Sequence, residues 1–156
     1  MSTNYIGLPT EGADRLGKEL HHLLANYEVF YQNVRGFHWN VRGPQFFELH
    51  AKFEELYTEL AMKIDVVAER MLTLGATPDH RFSSYTLIAE IEESPILKDG
   101  TEAAKVVLNT LKALIVRHRM ILSEAAQLGD EGTASIMSDF IKDLEKHIWM
   151  YAAYLH

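Results

Sequence analysis

The sequence predicts an all-α fold, a bundle of four long helices, on three observations. Apolar residues recur at alternating three- and four-residue steps through four long stretches, the period of an amphipathic helix. Glycine, proline or both break that pattern at each boundary. The chain has 156 residues, 47% hydrophobic and 24% charged, which is the size and composition of one domain able to bury a core.

Residues 1–12 read as a short arm ending in Pro9, Thr10 and Gly12. From Asp14, the residues Leu16, Leu20, Leu23, Tyr27, Phe30 and Val34 form the stripe of a first helix, which His38 continues. Asn40-Val-Arg-Gly-Pro44 then breaks it. A second stripe runs through Phe46, Leu49, Phe53, Leu56, Leu60, Ile64, Val67, Met71 and Leu74, and stops at Gly75. At 1.5 Å per residue this helix is about 45 Å long. The connection from Gly75 to Gly100 is too long to lack structure of its own, and a short helix is expected over 84–91 with Leu87, Ile88 and Ile91 facing inward. Thr101 is the expected N-cap of a third long helix, striped by Ala104, Val107, Leu111, Leu114, His118, Ile121, Ala125 and Leu128. After Gly129-Asp-Glu-Gly132, Thr133 is the expected cap of a fourth, striped by Met137, Phe140, Leu144, Ile148, Tyr151 and Leu155. Two short-linked hairpins joined by one long crossover make a ferritin-like four-helix bundle with a short extra helix in the crossover, a single domain over 1–156.

Composition narrows the chemistry. There is no cysteine, which removes disulfides, thiolate metal sites and cysteine nucleophiles together. No run of about 18 apolar residues exists, so no membrane span is expected. The N-terminal segment has neither an apolar signal core nor a basic cluster, which points to the cytoplasm. The net charge of −7 repels phosphate backbones and attracts cations.

The candidate metal ligands are His38, His50, Glu54, Asp65 and Glu69. His50 and Glu54 are one helical turn apart, and so are Asp65 and Glu69, so each pair can reach one ion. Both pairs lie on a stripe with Tyr57, Ala61, Ala68 and Leu72, a mixture suited to an edge packed against something else. An isolated acidic pair at this spacing is more often simply solvated. The fifteen residues from one pair to the other span about 22 Å of helix, whereas a ligand reaches about 2–2.5 Å from its ion. One copy of the helix therefore cannot close both pairs on one ion. Two antiparallel copies, with a two-fold axis near residues 59–60, bring His50/Glu54 of one chain against Asp65/Glu69 of the other and create the same site twice. His38 completes each site from the His50 side. Two imidazoles and three carboxylates suit iron or manganese, with zinc as a further candidate. Glu19-Leu-His-His22 has the Glu-x-x-His spacing of di-iron sites built inside one bundle, but no second copy accompanies it. His118 and His147 read as hydrogen-bonded core residues, although Asp143 precedes His147 by a turn. His21, His22, His80 and His156 have no evident partner set.

His38-Trp-Asn-Val-Arg-Gly43, then Phe47-Glu-Leu-His50 with Glu54, then Asp65-Val-Val-Ala-Glu-Arg70, resemble the Dps family of mini-ferritins, and Glu145-Lys-His-Ile-Trp-Met-Tyr151 is similar to that family's fourth-helix ending. The likeness covers nearly the whole chain. It implies a ferroxidase centre with His38, His50 and Glu54 from one subunit and Asp65 and Glu69 from its two-fold partner. The family's second carboxylate is often Asp, and Glu54 is one methylene longer. It further implies a hollow dodecamer that oxidises Fe(II), preferably with hydrogen peroxide rather than dioxygen, and stores the ferric product. Trp39 takes either an electron-relay or a packing role. Asp130 and Glu131, with Asp139 and Asp143 beyond them, fall where the family builds ion-entry channels, though acids at a helix start are also favoured by its dipole. Family members that bind DNA directly often use a Lys-rich terminal arm. Here the first 14 residues hold no Lys or Arg, and Glu11 and Asp14 are acidic, so direct DNA binding is expected to be weak or absent. The alternative readings are a structural or DNA-compacting shell without ferroxidase turnover, and an isolated helical interaction module.

Overall fold

The computed structural model describes residues 2–156. Among them are five helices: α1 (Thr10–Asn40), α2 (Phe46–Leu74), α3 (Phe82–Ile88), α4 (Gly100–Leu128) and α5 (Glu131–Leu155). The helices α1 and α2 pack as one hairpin, α4 and α5 as the other, and α1 lies against α4. Tyr27, Phe30, Phe37, Phe53, Leu56, Leu60, Leu111, Leu114 and Met137 interlock in the centre. No helix among the described residues is long and apolar enough to cross a membrane.

The expected stripes become buried faces, while several boundaries move. The first helix starts at Thr10, not Asp14, so the arm is shorter than expected. Gly12, which reads as a breaker, is buried inside the helix, where its missing Cβ admits the Leu128 side chain. Before it, the Asn4 side chain accepts from the Ile6 and Leu8 amides and folds the arm back. The second helix ends as expected at Gly75, whose φ of +95° is a conformation glycine adopts without steric cost.

Both later N-caps are aspartates rather than threonines. Asp99 accepts from the Glu102 amide at 2.9 Å in place of a Thr101 cap. Asp130 accepts from the Thr133 amide at 3.0 Å, which puts Thr133 inside α5. In each case the carboxylate three residues earlier reaches the unsatisfied amide, as capping requires.

The crossover helix also differs from expectation. It spans Phe82–Ile88, Tyr85 is its buried residue, and Leu87 is 84% exposed rather than inward. A competing acceptor explains its end: Asn26 on α1 takes the Glu90 and Ile91 amides, both at 2.9 Å, that a longer helix would use. Asn33, two turns on, accepts from the Ser94 amide and donates to the Glu92 carbonyl. Two asparagines thus tie the crossover to α1, and with it the register of the bundle.

Candidate metal centre

At the end of α1, His38 is buried and stacks on His50 of α2, with ring centroids 3.8 Å apart and 13° between planes. The two histidines hold each other through the backbone. His38 Nδ1–H donates to the His50 carbonyl oxygen at 2.6 Å, and His50 Nδ1–H donates to the His38 carbonyl oxygen at 2.8 Å. A carbonyl only accepts, so each Nδ1 carries a proton, and in the neutral imidazole the lone pair is then on Nε2. This is the orientation and tautomer that a metal-binding imidazole needs. Phe46 stacks on the other face of His50 at 4.9 Å, and Tyr57 meets His38 edge-on at 5.4 Å.

Glu54, one turn along from His50, brings Oε1 to 3.8 Å from His38 Nε2. That exceeds a direct hydrogen bond and falls within the separation of about 3–4 Å that two ligands of one ion adopt when each lies about 2.1 Å from it. The Glu54 side chain is 59% exposed, so the group opens outward from the bundle.

Asp65 and Glu69 are a separate, exposed pair further along α2. The hydrogen bond to Asp65, and then its negative charge, hold the Glu69 carboxyl above its ordinary value, because two neighbouring carboxyls favour sharing a proton. Met62, Val66 and Leu72 beside them are exposed apolar side chains. Among the described residues no three His, Asp or Glu side chains converge into a metal site within one chain. The fold therefore presents two separate groups: two oriented imidazoles, from α1 and α2, with a carboxylate, and further along α2 a carboxylate pair with an apolar surround.

The other candidates fall elsewhere. Trp39 is 56% exposed, and Arg35 lies over its ring at 4.9 Å. Asp130 is buried and bound to Arg70 at 2.6 Å, so its carboxylate serves the start of α5. Glu131 and Asp139 are exposed, with Asp139 paired to Lys142, while Asp143 binds the buried ammonium of Lys63 at 2.5 Å. The Glu19/His22 spacing leads to no site, since Glu19 pairs with Arg117 and His22 is exposed. Both histidines read as core residues are buried: His118 accepts from the Tyr27 hydroxyl at 2.7 Å, and His147 bonds Glu59 at 2.6 Å. Burial raises Glu59, but the His147 hydrogen bond and the His147 and Lys63 charges outweigh it and hold the carboxyl below its ordinary value.

Tyr57 is what sequence reasoning passed over. Its place on the ligand stripe was visible; its edge-on contact with His38 depends on how α1 and α2 face each other.

A ferritin-like domain model matches residues 17–156. The chain is 43% identical over 148 residues to a DNA protection during starvation protein of Porphyromonas gingivalis, covering 95% of this chain and 93% of that one. The chain belongs to the Dps family of ferritin-like proteins. The crystal structure of Dps from Vibrio cholerae O1, a member of a broad superfamily of ferritin-like diiron-carboxylate proteins, superposes with a TM-score of 0.98 at 49% identity, covering 100% of this chain and 98% of that one. Dps from Listeria monocytogenes gives a TM-score of 0.87 at 32% identity, covering 90% and 92%.

Proposed function

We propose that this Dps-family chain is a mini-ferritin that oxidises Fe(II) at a ferroxidase centre shared between two-fold related subunits. His38, His50 and Glu54 come from one subunit and Asp65 and Glu69 from the next. The subunits assemble as a hollow dodecamer that stores the ferric product, works in the cytoplasm and protects against oxidative stress. The observation that supports this reading is the reciprocal His38/His50 lock, which orients both imidazoles and sets the His38 Nε2 3.8 Å from Glu54, with no three-ligand metal site within the chain among the described residues. The Asp65/Glu69 pair supplies the missing oxygens when a second copy lies antiparallel along α2.

Iron is the substrate here. Mixed oxygen and imidazole ligands accept Fe(II) and suit Fe(III), and manganese or zinc would occupy the same donors. Hydrogen peroxide is the preferred oxidant, with dioxygen the slower one. Two Fe(II) ions give one electron each, and peroxide takes both with two protons to become two waters, so no hydroxyl radical leaves. The exposed side of Glu54 is the route by which ions reach the imidazoles, and the carboxylates offset the charge gained on oxidation. Glu131 and Asp139, both exposed although Asp139 pairs with the exposed Lys142, are the better placed of the channel candidates; Asp130 and Asp143 bind Arg70 and the buried Lys63. Direct DNA binding is weak, because the chain carries a net charge of −7 and an arm without lysine or arginine. A mobility-shift assay at physiological salt without added iron tests that point, and tight binding would overturn it.

The central experiment loads purified protein with Fe(II) without oxygen and then adds stoichiometric peroxide, beside a His50→Ala/Asp65→Ala variant of the same assembled size. The expected result is fast ferric absorbance with little trapped hydroxyl radical, lost in the variant. Equal rates in both proteins would make the ligands structural and leave a protective shell.

A further inference from the structure

We infer that each chain holds a second cation position inside the bundle, built by Glu59, Asp143 and His147. Lys63 keeps that position filled with its own ammonium and so shuts divalent metal ions out. The position lies on the seam between α2 and α5. It shares no residue with the proposed interface site and does not depend on the ferroxidase reading.

The backbones of α2 and α5 approach each other less closely than those within either hairpin, and charged side chains bridge the space. Lys63 on α2 meets Asp143 on α5 at 2.5 Å. Glu59, one turn before Lys63, brings Oε2 to 3.9 Å from the same ammonium. His147, one turn after Asp143, sets Nε2 2.6 Å from that Glu59 oxygen. The ammonium also lies 4.7 Å from the centre of the Phe140 ring. Only 6% of the Lys63 side chain is exposed, so this charge is carried inside the fold.

A buried ammonium is costly unless its surroundings replace water. Two carboxylates and an aromatic face do so here. The converse also holds. Without the ammonium, two carboxylates and an imidazole from facing helices are left around one uncompensated place, and metal sites in bundles are built from side chains on facing helices. Oxygen donors with one imidazole suit a divalent first-row ion such as Co(II), Zn(II) or Fe(II). Glu59 and Asp143 are partly exposed, so an ion from solvent can reach them. His147 is buried and its Nδ1 has no partner. The neutral ring can therefore carry its proton on Nδ1 and turn the Nε2 lone pair to an ion. With Lys63 in place, no three such side chains converge within the chain among the described residues. The ammonium takes the contacts that an ion would use. Being tethered, it competes at a high effective concentration and cannot diffuse away.

The test counts Co(II) bound by the assembled protein in equilibrium dialysis and follows its visible absorption. Wild type is compared with Lys63→Met, Lys63→Arg and Lys63→Met/Glu59→Gln. The expected result is one more Co(II) per chain in Lys63→Met than in wild type, with a new d–d band. Both are lost in Lys63→Met/Glu59→Gln and absent from Lys63→Arg, which keeps a fixed cation. Co(II) at a hundredfold excess over its Kd is expected to raise the Tm of Lys63→Met by about 5–10 °C more than that of wild type. A Lys63→Met protein that assembles only when Co(II) is supplied, and fails to do so in the double variant, is the same result. No additional Co(II) in Lys63→Met, assembled or not, overturns the inference. So does an extra ion that is indifferent to Glu59→Gln, or one that Lys63→Arg binds equally well. Iron oxidation by the wild type decides the ferroxidase reading separately, because the seam is closed to metal in that protein.

Discussion

His118 shows how one buried side chain sets a pH limit on the fold. None of its surface is exposed; Nδ1–H donates to the Leu114 carbonyl at 2.6 Å, and Nε2 accepts from the Tyr27 hydroxyl at 2.7 Å. Burial is the main reason its pKa drops to about 4, with Lys63 and Arg117 adding to the fall and the Leu114 carbonyl opposing it. The ordinary value is about 6.5, so between these two limits the unfolded chain binds a proton that the folded chain refuses. This contribution to stability is full above pH 6.5 and is lost as pH falls toward 4. At about 1.36 kcal/mol per unit, the loss across that window is about 3 kcal/mol. Urea denaturation from pH 7 to pH 4 is expected to show the decline in the wild type and a flatter curve in His118→Gln, which cannot titrate. Parallel curves would assign the decline to other groups. That His118 belonged to the core was legible from its place on an apolar stripe. Its Tyr27 partner was not, because the two residues are brought together from α1 and α4 only when those helices pack.

At the scale of elements, the fourth long helix is anchored by a clasp that its sequence shows only in part. Asp130 caps the Thr133 amide and binds Arg70 of α2 at 2.6 Å, while Arg70 Nε donates to the Thr133 hydroxyl at 2.9 Å. Loss of a cap alone costs about 1 kcal/mol, whereas removing one member of a buried ion pair costs about 3–5 kcal/mol. Asp130 is 1% and Arg70 16% exposed in the side chain, so the larger figure applies. Asp130→Ala is expected to destabilise the protein by about 3–5 kcal/mol in urea denaturation. Asp130→Asn, which keeps an acceptor for the amide, is expected to lose less. A loss of about 1 kcal/mol in Asp130→Ala would mean that only the cap matters. The helices themselves were legible because their apolar period is sustained over many turns and ends at glycines such as Gly75. Their starts were less so: Thr101 and Thr133 are good caps in isolation, and Asp99 and Asp130 win by reaching the amide first. The inward face of the crossover helix was misread because it depends on Asn26, more than sixty residues away in sequence. In the candidate site, spacing alone pointed to the five proposed ligand residues and to a second copy as the way to join them. The reciprocal histidine bonds, the Tyr57 contact and the Lys63–Asp143 pair each join two helices, and no local pattern encodes such a pair.

For the whole molecule, the length of α2 sets the argument. The site as proposed is divided between two ends of one helix, so its chemistry belongs to an assembly and not to a chain. Symmetry makes that division measurable. One variant, His38→Ala/His50→Ala, loses the imidazole half and keeps the carboxylate pair. The other, Asp65→Ala/Glu69→Ala, does the reverse. Each alone has no complete site under either arrangement. In a mixed two-fold dimer, one site combines both damaged halves and the other combines both intact halves. With equal expression and random pairing, half of the dimers are mixed and one site in two of those is whole, so about a quarter of wild-type ferroxidase activity is expected on co-expression. A site closed within one chain gives none, because every chain in the mixture is damaged. Purified variants mixed after assembly should stay inactive until their subunits exchange, which separates shared sites from a mere effect of mixing. Recovery near one quarter in the co-expressed sample, with size-exclusion profiles matching the wild type, would establish that two chains build each site. No recovery in particles of that same size would send the Asp65/Glu69 pair back to the role of a solvated helix face.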